Sequence, residues 1–97
     1  MIKITAKEID GIFCLEAEGH AGYNPGNDIV CSAASVLVQL IYACVVNGIG
    51  FSALEAADLR HGKAFVRFRG GETLFEVACL GAEMLRRAYP ENVDFCK

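Results

Sequence analysis

The chain opens on an alternation of hydrophobic and polar residues. Ile2, Ile4 and Ala6 interleave with Lys3, Thr5 and Lys7, and beyond Asp10-Gly11 the residues Phe13, Leu15 and Ala17 interleave with Cys14, Glu16 and Glu18. A period of two places one set on each face of a strand, so the pattern predicts two antiparallel strands joined by a tight turn. Gly19 to Asn27, rich in glycine, asparagine and proline, predicts a loop. The period then changes. Asp28 is a good helix N-cap, the run from Ile29 to Val46 carries no charge, and Asn47-Gly48 supplies a stop signal. The expected element is a long apolar helix buried on most of its sides. Between Leu54 and Arg60 the signal is mixed, because Ala-Leu-Glu-Ala-Ala suits a helix while the following His61-Gly62 turn suits a hairpin. The hairpin is preferred, since Lys63 to Arg69 is a strong strand with Ala64, Val66 and Phe68 inward and Phe65, Arg67 and Arg69 outward. Glu72 to Ala88 predicts a second helix with Leu74, Val77, Ala78, Gly81, Met84, Leu85 and Ala88 on one face, closed by Tyr89-Pro90. Val93 to Cys96 predicts a short last strand. The order ββαββαβ implies an α/β fold of the α+β type, a two-layer sandwich with a largely antiparallel sheet and two helices.

Length and composition narrow the class. Ninety-seven residues, 54% apolar and 22% charged, predict one domain spanning residues 1–97 with enough apolar surface to outweigh chain entropy. A formal charge of −3 gives no sequence-wide attraction to phosphates or anionic lipid, so no direct nucleic-acid contact is expected. Ile29 to Val46 is near the length that spans a bilayer. It nevertheless holds Ser32, Ser35 and Gln39, follows the acidic Asp28, and lacks flanking basic anchors, so a membrane span is rejected. The N-terminus reads as a strand rather than a signal peptide. Cysteines at positions 14, 31, 44, 79 and 96 form no CxxC pair, which fits a reducing cytosol and gives no metal-binding spacing. Neither a metal nor a cofactor is expected.

The chemistry lies in GHAGYNPGNDIVCSAAS, from Gly19 to Ser35. With Asp28 as N-cap, Cys31 is the third helical residue, in the first turn, where the positive end of the helix dipole favours a thiolate over a thiol. His20 stands where the second strand runs out, and ten intervening residues let its imidazole fold back onto the thiol. Such a pair forms a nucleophile–base couple. Asp28 has two available jobs, capping the helix or orienting His20. Ser35 falls one turn after Cys31 on the same face, and the backbone N–H groups of the first turn suit the oxyanion of a tetrahedral intermediate. Each residue also has an ordinary reading: cysteines are often simply buried, a His beside Gly is often a loop residue, and an Asp before a helix is usually a cap.

GHA, followed after a Gly-rich loop by DIVCSAAS and a long apolar helix, resembles the ribosomal-processing cysteine protease family, whose hallmarks are a Gly-His and an Asp-Ile-Val-Cys motif. The resemblance is strongest over Gly19 to Leu40, and the element order suits the family across nearly the whole chain. It implies that His20 and Cys31 are the catalytic dyad and that Asp28 and Ser35 support the active site. It also implies that Gly19, Gly22 and Gly26 keep the loop able to close over an extended peptide. The substrate it implies is the twenty-seventh protein of the bacterial large ribosomal subunit, from which an N-terminal extension is removed. A cytoplasmic homodimer is implied as well, with the apolar first helix as a suitable interface. The other thiols, Cys14, Cys44, Cys79 and Cys96, are then structural.

Two rival readings remain at the level of the residues. A βαββαβ order with HGKAFVRF at His61 to Phe68 partly matches an RNA-recognition module using Phe65 and Phe68, although His61 and Lys63 depart from its signature. A Cys-His pair also serves a thioesterase or amidase, and Cys31 alone would serve as a redox-sensing thiol.

Overall fold

The computed structural model describes residues 1–20, 29–60 and 62–97. The elements follow the expected order: β1 (Ile2–Ile9), β2 (Ile12–Gly19), α1 (Ile29–Val46), a 3-10 turn at Ile49–Phe51, β3 (Ala53–Arg60), β4 (Lys63–Arg69), α2 (Glu72–Ala88) and β5 (Val93–Cys96). The five strands form one sheet in the order β3-β4-β2-β1-β5. All pairs are antiparallel except β1 with β5. Asp10 and Gly11 both take positive φ, 52° and 80°, the geometry of the two-residue turn whose twist matches antiparallel strands.

The alternation in the sequence becomes the division between the two sides of the sheet. Ile2, Ile4 and Ala6, Phe13, Leu15 and Ala17, and Ala64, Val66 and Phe68 are buried beneath the helices. Their polar neighbours face outward. Phe13 stands between Phe68 and Phe75, with ring centroids 5.6 and 4.8 Å away, close enough for aromatic pairs to add to simple burial.

Helix α1 departs from the expectation of burial on most sides. It buries one stripe, Val30, Ala34, Val38, Ile41 and Val45, at the spacing of three and four residues that lays a helix on a sheet. Ile29, Val36, Leu40 and Val46 remain more than half exposed. The helix is long and apolar enough to cross a membrane by length and composition, yet its buried stripe seats it against the sheet. Its C-terminus ends as the sequence signals. Asn47 Nδ2 donates to the Ala43 carbonyl at 2.7 Å, and the Gly48 N–H, at φ 70°, reaches the Val45 carbonyl at 3.0 Å.

Helix α2 is rotated from its expected face. Leu74, Phe75, Ala78, Cys79 and Ala82 are buried, whereas Val77 and Met84 are exposed. Phe75 turns inward because the sheet supplies Phe13 as a partner, and Cys79, one turn on, is buried with it. Gly81, Met84, Leu85 and Ala88 instead border a groove of about 390 Å³ shared with Val36, Leu37 and Leu40 of α1. Near its end Arg86 and Arg87 both reach the Glu83 carboxylate. The Arg86 hydrogen bond is the main cause of that carboxyl's descent to about 2.

Candidate active site

Strand β2 runs one residue beyond the expected loop boundary and ends at Gly19. There the backbone N–H donates to the Gly62 carbonyl at 2.8 Å, which extends the β2–β4 ladder to the tip of the β3–β4 hairpin. Gly19 has φ 99°, a conformation that residues with a Cβ rarely hold. His20 follows at once, exposed at the end of the strand.

Helix α1 starts at Ile29, so Cys31 is its third residue. Val30 is fully buried and anchors the first turn, while Cys31 is half-buried against the core beside it. Ser35, one turn on, is also half-buried. The end of β2 and the start of α1 therefore converge, and His20, Cys31 and Ser35 line one cleft. Its apolar floor is Ile2, Ala17 and Ala64 from the sheet and Ala34 from the helix. The enclosed volume is about 20 Å³, room for about one water molecule.

The hairpin supplies a wall that the motifs did not reveal: Arg60, Gly62 and Lys63 also line the cleft. Arg60, largely in solvent, pairs with the half-buried Asp58 at 2.7 Å, a pairing at the surface worth about 0–1 kcal/mol. An ideal Cβ on Gly62 would lie 3.4 Å from His20 Nε2 and 3.5 Å from its Cε1, so the imidazole edge rests beside that glycine. The only signal for these residues is the register, with Arg60 opposite Lys63 at the hairpin end and Glu18 opposite Lys63 on β2.

Asp28, Gly22 and Gly26, expected as a support and as loop glycines, lie outside the described residues. All five cysteines are described, and Cys31 is the one that lines the cleft. Cys79 is buried, which pushes its thiol up; Cys14 and Cys44 are half-buried and Cys96 is exposed. Among the described residues no three His, Cys, Asp or Glu side chains converge as metal ligands would.

The open face of the sheet bears on the RNA reading. Phe65 is half-buried on it with the Arg67 guanidinium 5.5 Å from its ring centre. Glu16 stands opposite Phe65 and Glu18 opposite Lys63. Carboxylates therefore interleave with the cations that a phosphate backbone would need. Phe68 is fully buried and presents no face to a base.

The sequence profile of the cysteine protease Prp family matches residues 1–94. The chain belongs to that family. Solved structures agree in fold. The ribosomal processing protease Prp from S. aureus, in complex with a covalently linked product peptide, superposes with a TM-score of 0.79 at 20% identity. That match covers 98% of this chain and 97% of the other. The same protease in complex with a substrate peptide gives 0.73 at 17% identity, over 99% and 98% of the two chains. SMU.848 from Streptococcus mutans gives 0.69 at 27% identity, over 98% and 91%. No curated protein sequence matches the chain. A Prp-family chain is a cysteine protease, and the converging strand end and helix start are where its described nucleophile and base candidates lie.

Proposed function

We propose that this protein is a cytoplasmic cysteine endopeptidase that removes the N-terminal extension of the twenty-seventh protein of the bacterial large ribosomal subunit. Cys31 is its nucleophile and His20 its general acid and base. The observation that carries the reading is the single cleft into which β2 delivers His20 and the first turn of α1 delivers Cys31. The Prp proteases that the fold resembles are described as ribosomal processing enzymes and were solved with substrate and product peptides, which supports the substrate class.

In this mechanism the Cys31 thiolate attacks the scissile carbonyl carbon, and the carbonyl electrons move onto oxygen. Collapse of the tetrahedral intermediate breaks the C–N bond as His20 gives a proton to the leaving amine. The acyl group now sits on sulfur as a thioester. His20 takes a proton from water, the resulting hydroxide attacks the thioester carbon, and the peptide carboxylate and the thiolate are released. Backbone N–H groups at the start of α1 point along the helix axis and favour the oxyanion through the helix dipole. Ser35 borders the reacting atoms from one turn away.

The test is intact mass after incubation with the extended ribosomal protein, beside a Cys31→Ala control. One cut near the N-terminus that vanishes in the control is expected. An extension left intact by both proteins under reducing conditions removes the substrate assignment.

The partner we assign is a second copy of this chain, seated on the groove between α1 and α2. Val36, Leu40 and Met84 are 60%, 53% and 63% exposed there, and among the described residues the lining carries no charged one, a composition typical of an interface core. Leu40→Arg places a charge in that surface. In light scattering the unsubstituted chain is expected to run as a dimer and the variant as a monomer of unchanged fold; identical masses would remove this interface.

A further inference from the structure

We propose that Gly62 is a positioning residue for the catalytic imidazole: the tip of the β3–β4 hairpin is the platform that sets where His20 stands relative to Cys31. This inference rests on the dyad reading above and adds to it the element that holds the base.

Two features converge on this one residue. The Gly62 carbonyl accepts the N–H of Gly19 at 2.8 Å, which fixes the backbone immediately before His20. The side of Gly62 where other residues carry a side chain also faces the imidazole, so that a Cβ built there falls 3.4 Å from Nε2 and 3.5 Å from Cε1. The hydrogen bond fixes the root of the histidine side chain, and the bare glycine borders its reactive edge. His20 is exposed, so its orientation is set by what stands beside it rather than by burial. The hairpin tip is one such neighbour, and it lines the same cleft as Cys31.

Gly62 is suited to both roles by having no side chain. Its φ of 84° is disfavoured for residues with a Cβ. A methyl group there would stand in ordinary van der Waals contact with the ring edge, so alanine acts through the strain its φ puts on the hairpin tip, and only a longer side chain would crowd the ring. The hairpin's place in the sheet makes the platform firm, since β4 pairs with β2 over Ile12 to Glu18 and with β3 over Ala53 to Arg60.

The natural control is Gly11, which has nearly the same φ, 80°, and no atom within 4 Å of its would-be Cβ. It sits in the β1–β2 turn, at the opposite end of β2 from His20. Gly11→Ala therefore applies comparable backbone strain away from the site. Gly62→Asn separates strain from crowding, because Asn tolerates positive φ while placing atoms beyond Cβ on the side of Gly62 that faces the ring.

The experiment measures kcat and KM for peptide cleavage, together with the rate of Cys31 alkylation by iodoacetamide, which needs no substrate. Wild type, Gly62→Ala, Gly62→Asn, Gly11→Ala and His20→Ala are compared at temperatures where thermal melts show each folded. Both Gly62 variants are expected to lose about 10- to 100-fold in kcat, the scale of a displacement of about 1 Å, with KM changed by less than about threefold. Their alkylation rates should move toward that of His20→Ala, while Gly11→Ala keeps wild-type kcat and alkylation. A loss confined to KM would make Gly62 a substrate wall and overturn the proposal. So would Gly62→Asn behaving as wild type, or Gly11→Ala matching Gly62→Ala. Should Gly62→Ala fail to fold, Gly62→Asn decides alone. The His20→Ala arm keeps the two ideas apart: full activity there removes the dyad reading, whereas lost activity there with unaffected Gly62 variants removes only the platform.

Discussion

His20→Ala will lower kcat/KM for peptide cleavage by about 10²- to 10⁴-fold, the usual contribution of a general acid–base group, while leaving the protein as stable as before. The two halves of this expectation come from different observations. Activity falls, on the proposed dyad, because the thiol loses the group that takes and returns its proton. Stability holds because His20 is exposed at a strand end, so truncation leaves no buried cavity, and surface substitutions of this kind usually stay within about ±0.5 kcal/mol. The measurement is a rate against peptide concentration beside a thermal melt of the same preparation. Activity within a few-fold of wild type would remove His20 from the chemistry and require another base for the Cys31 nucleophile.

The elements that could be read in the sequence are those whose partners lie next to them in the chain. The β1–β2 hairpin was legible from its alternation and the Asp10-Gly11 turn, because register there is set by adjacent residues. The segment Ala53 to Arg60 was less so: its Ala-Leu-Glu-Ala-Ala suits a helix, yet pairing with β4 holds it extended, with a register shift between Leu54 and Ala56. Tertiary pairing overrides weak propensity. The faces of the helices were hardest to read. An apolar run shows that a helix has hydrophobic residues but not how many neighbours it has, and α1 proves to be covered along one stripe. On α2 the residues chosen for the core partly border the groove with α1, since a helix touching both a sheet and another helix carries apolar residues toward each.

The same reasoning separates the parts of the site. His20, Cys31 and Ser35 lie in one short motif that singled them out as candidates, and they line one cleft. Arg60, Gly62 and Lys63 reach the cleft only because β4 pairs with β2 in a register that brings the hairpin tip beside Gly19. No local pattern links residue 62 to residue 20. The Gly-rich character of Gly19 read as freedom in a loop, whereas its φ of 99° and its bond to Gly62 give it a fixed place in a strand.

That fixed place makes Gly19→Ala the substitution with the largest expected effect on folding. A Cβ at Gly19 would lie 2.6 Å from the Met1 carbonyl oxygen, far inside van der Waals separation, and the clashing atom is backbone, which cannot rotate away as a side chain can. The positive φ adds strain of its own, of order 1–3 kcal/mol for a residue held in a sparsely populated region, and relief of the overlap by backbone shifts costs about 1–3 kcal/mol more. A total of about 2–6 kcal/mol corresponds to a fall in Tm of roughly 10–50 °C for a domain of this size. The shift has a direction that matters for chemistry. Moving Gly19 away from Met1 disturbs the pairing of Ile2 with Gly19 and the bond to Gly62, and His20 is the next residue, so kcat should fall even well below the lowered Tm. Gly11→Ala provides the scale, because it carries a similar φ without the close approach. If the two variants melt together and cleave alike, the approach to Met1 has no weight and Gly19 matters only as a turn-tolerant residue. If Gly19→Ala melts well below Gly11→Ala and is slow where it is folded, the end of β2 is a rigid mount for the base.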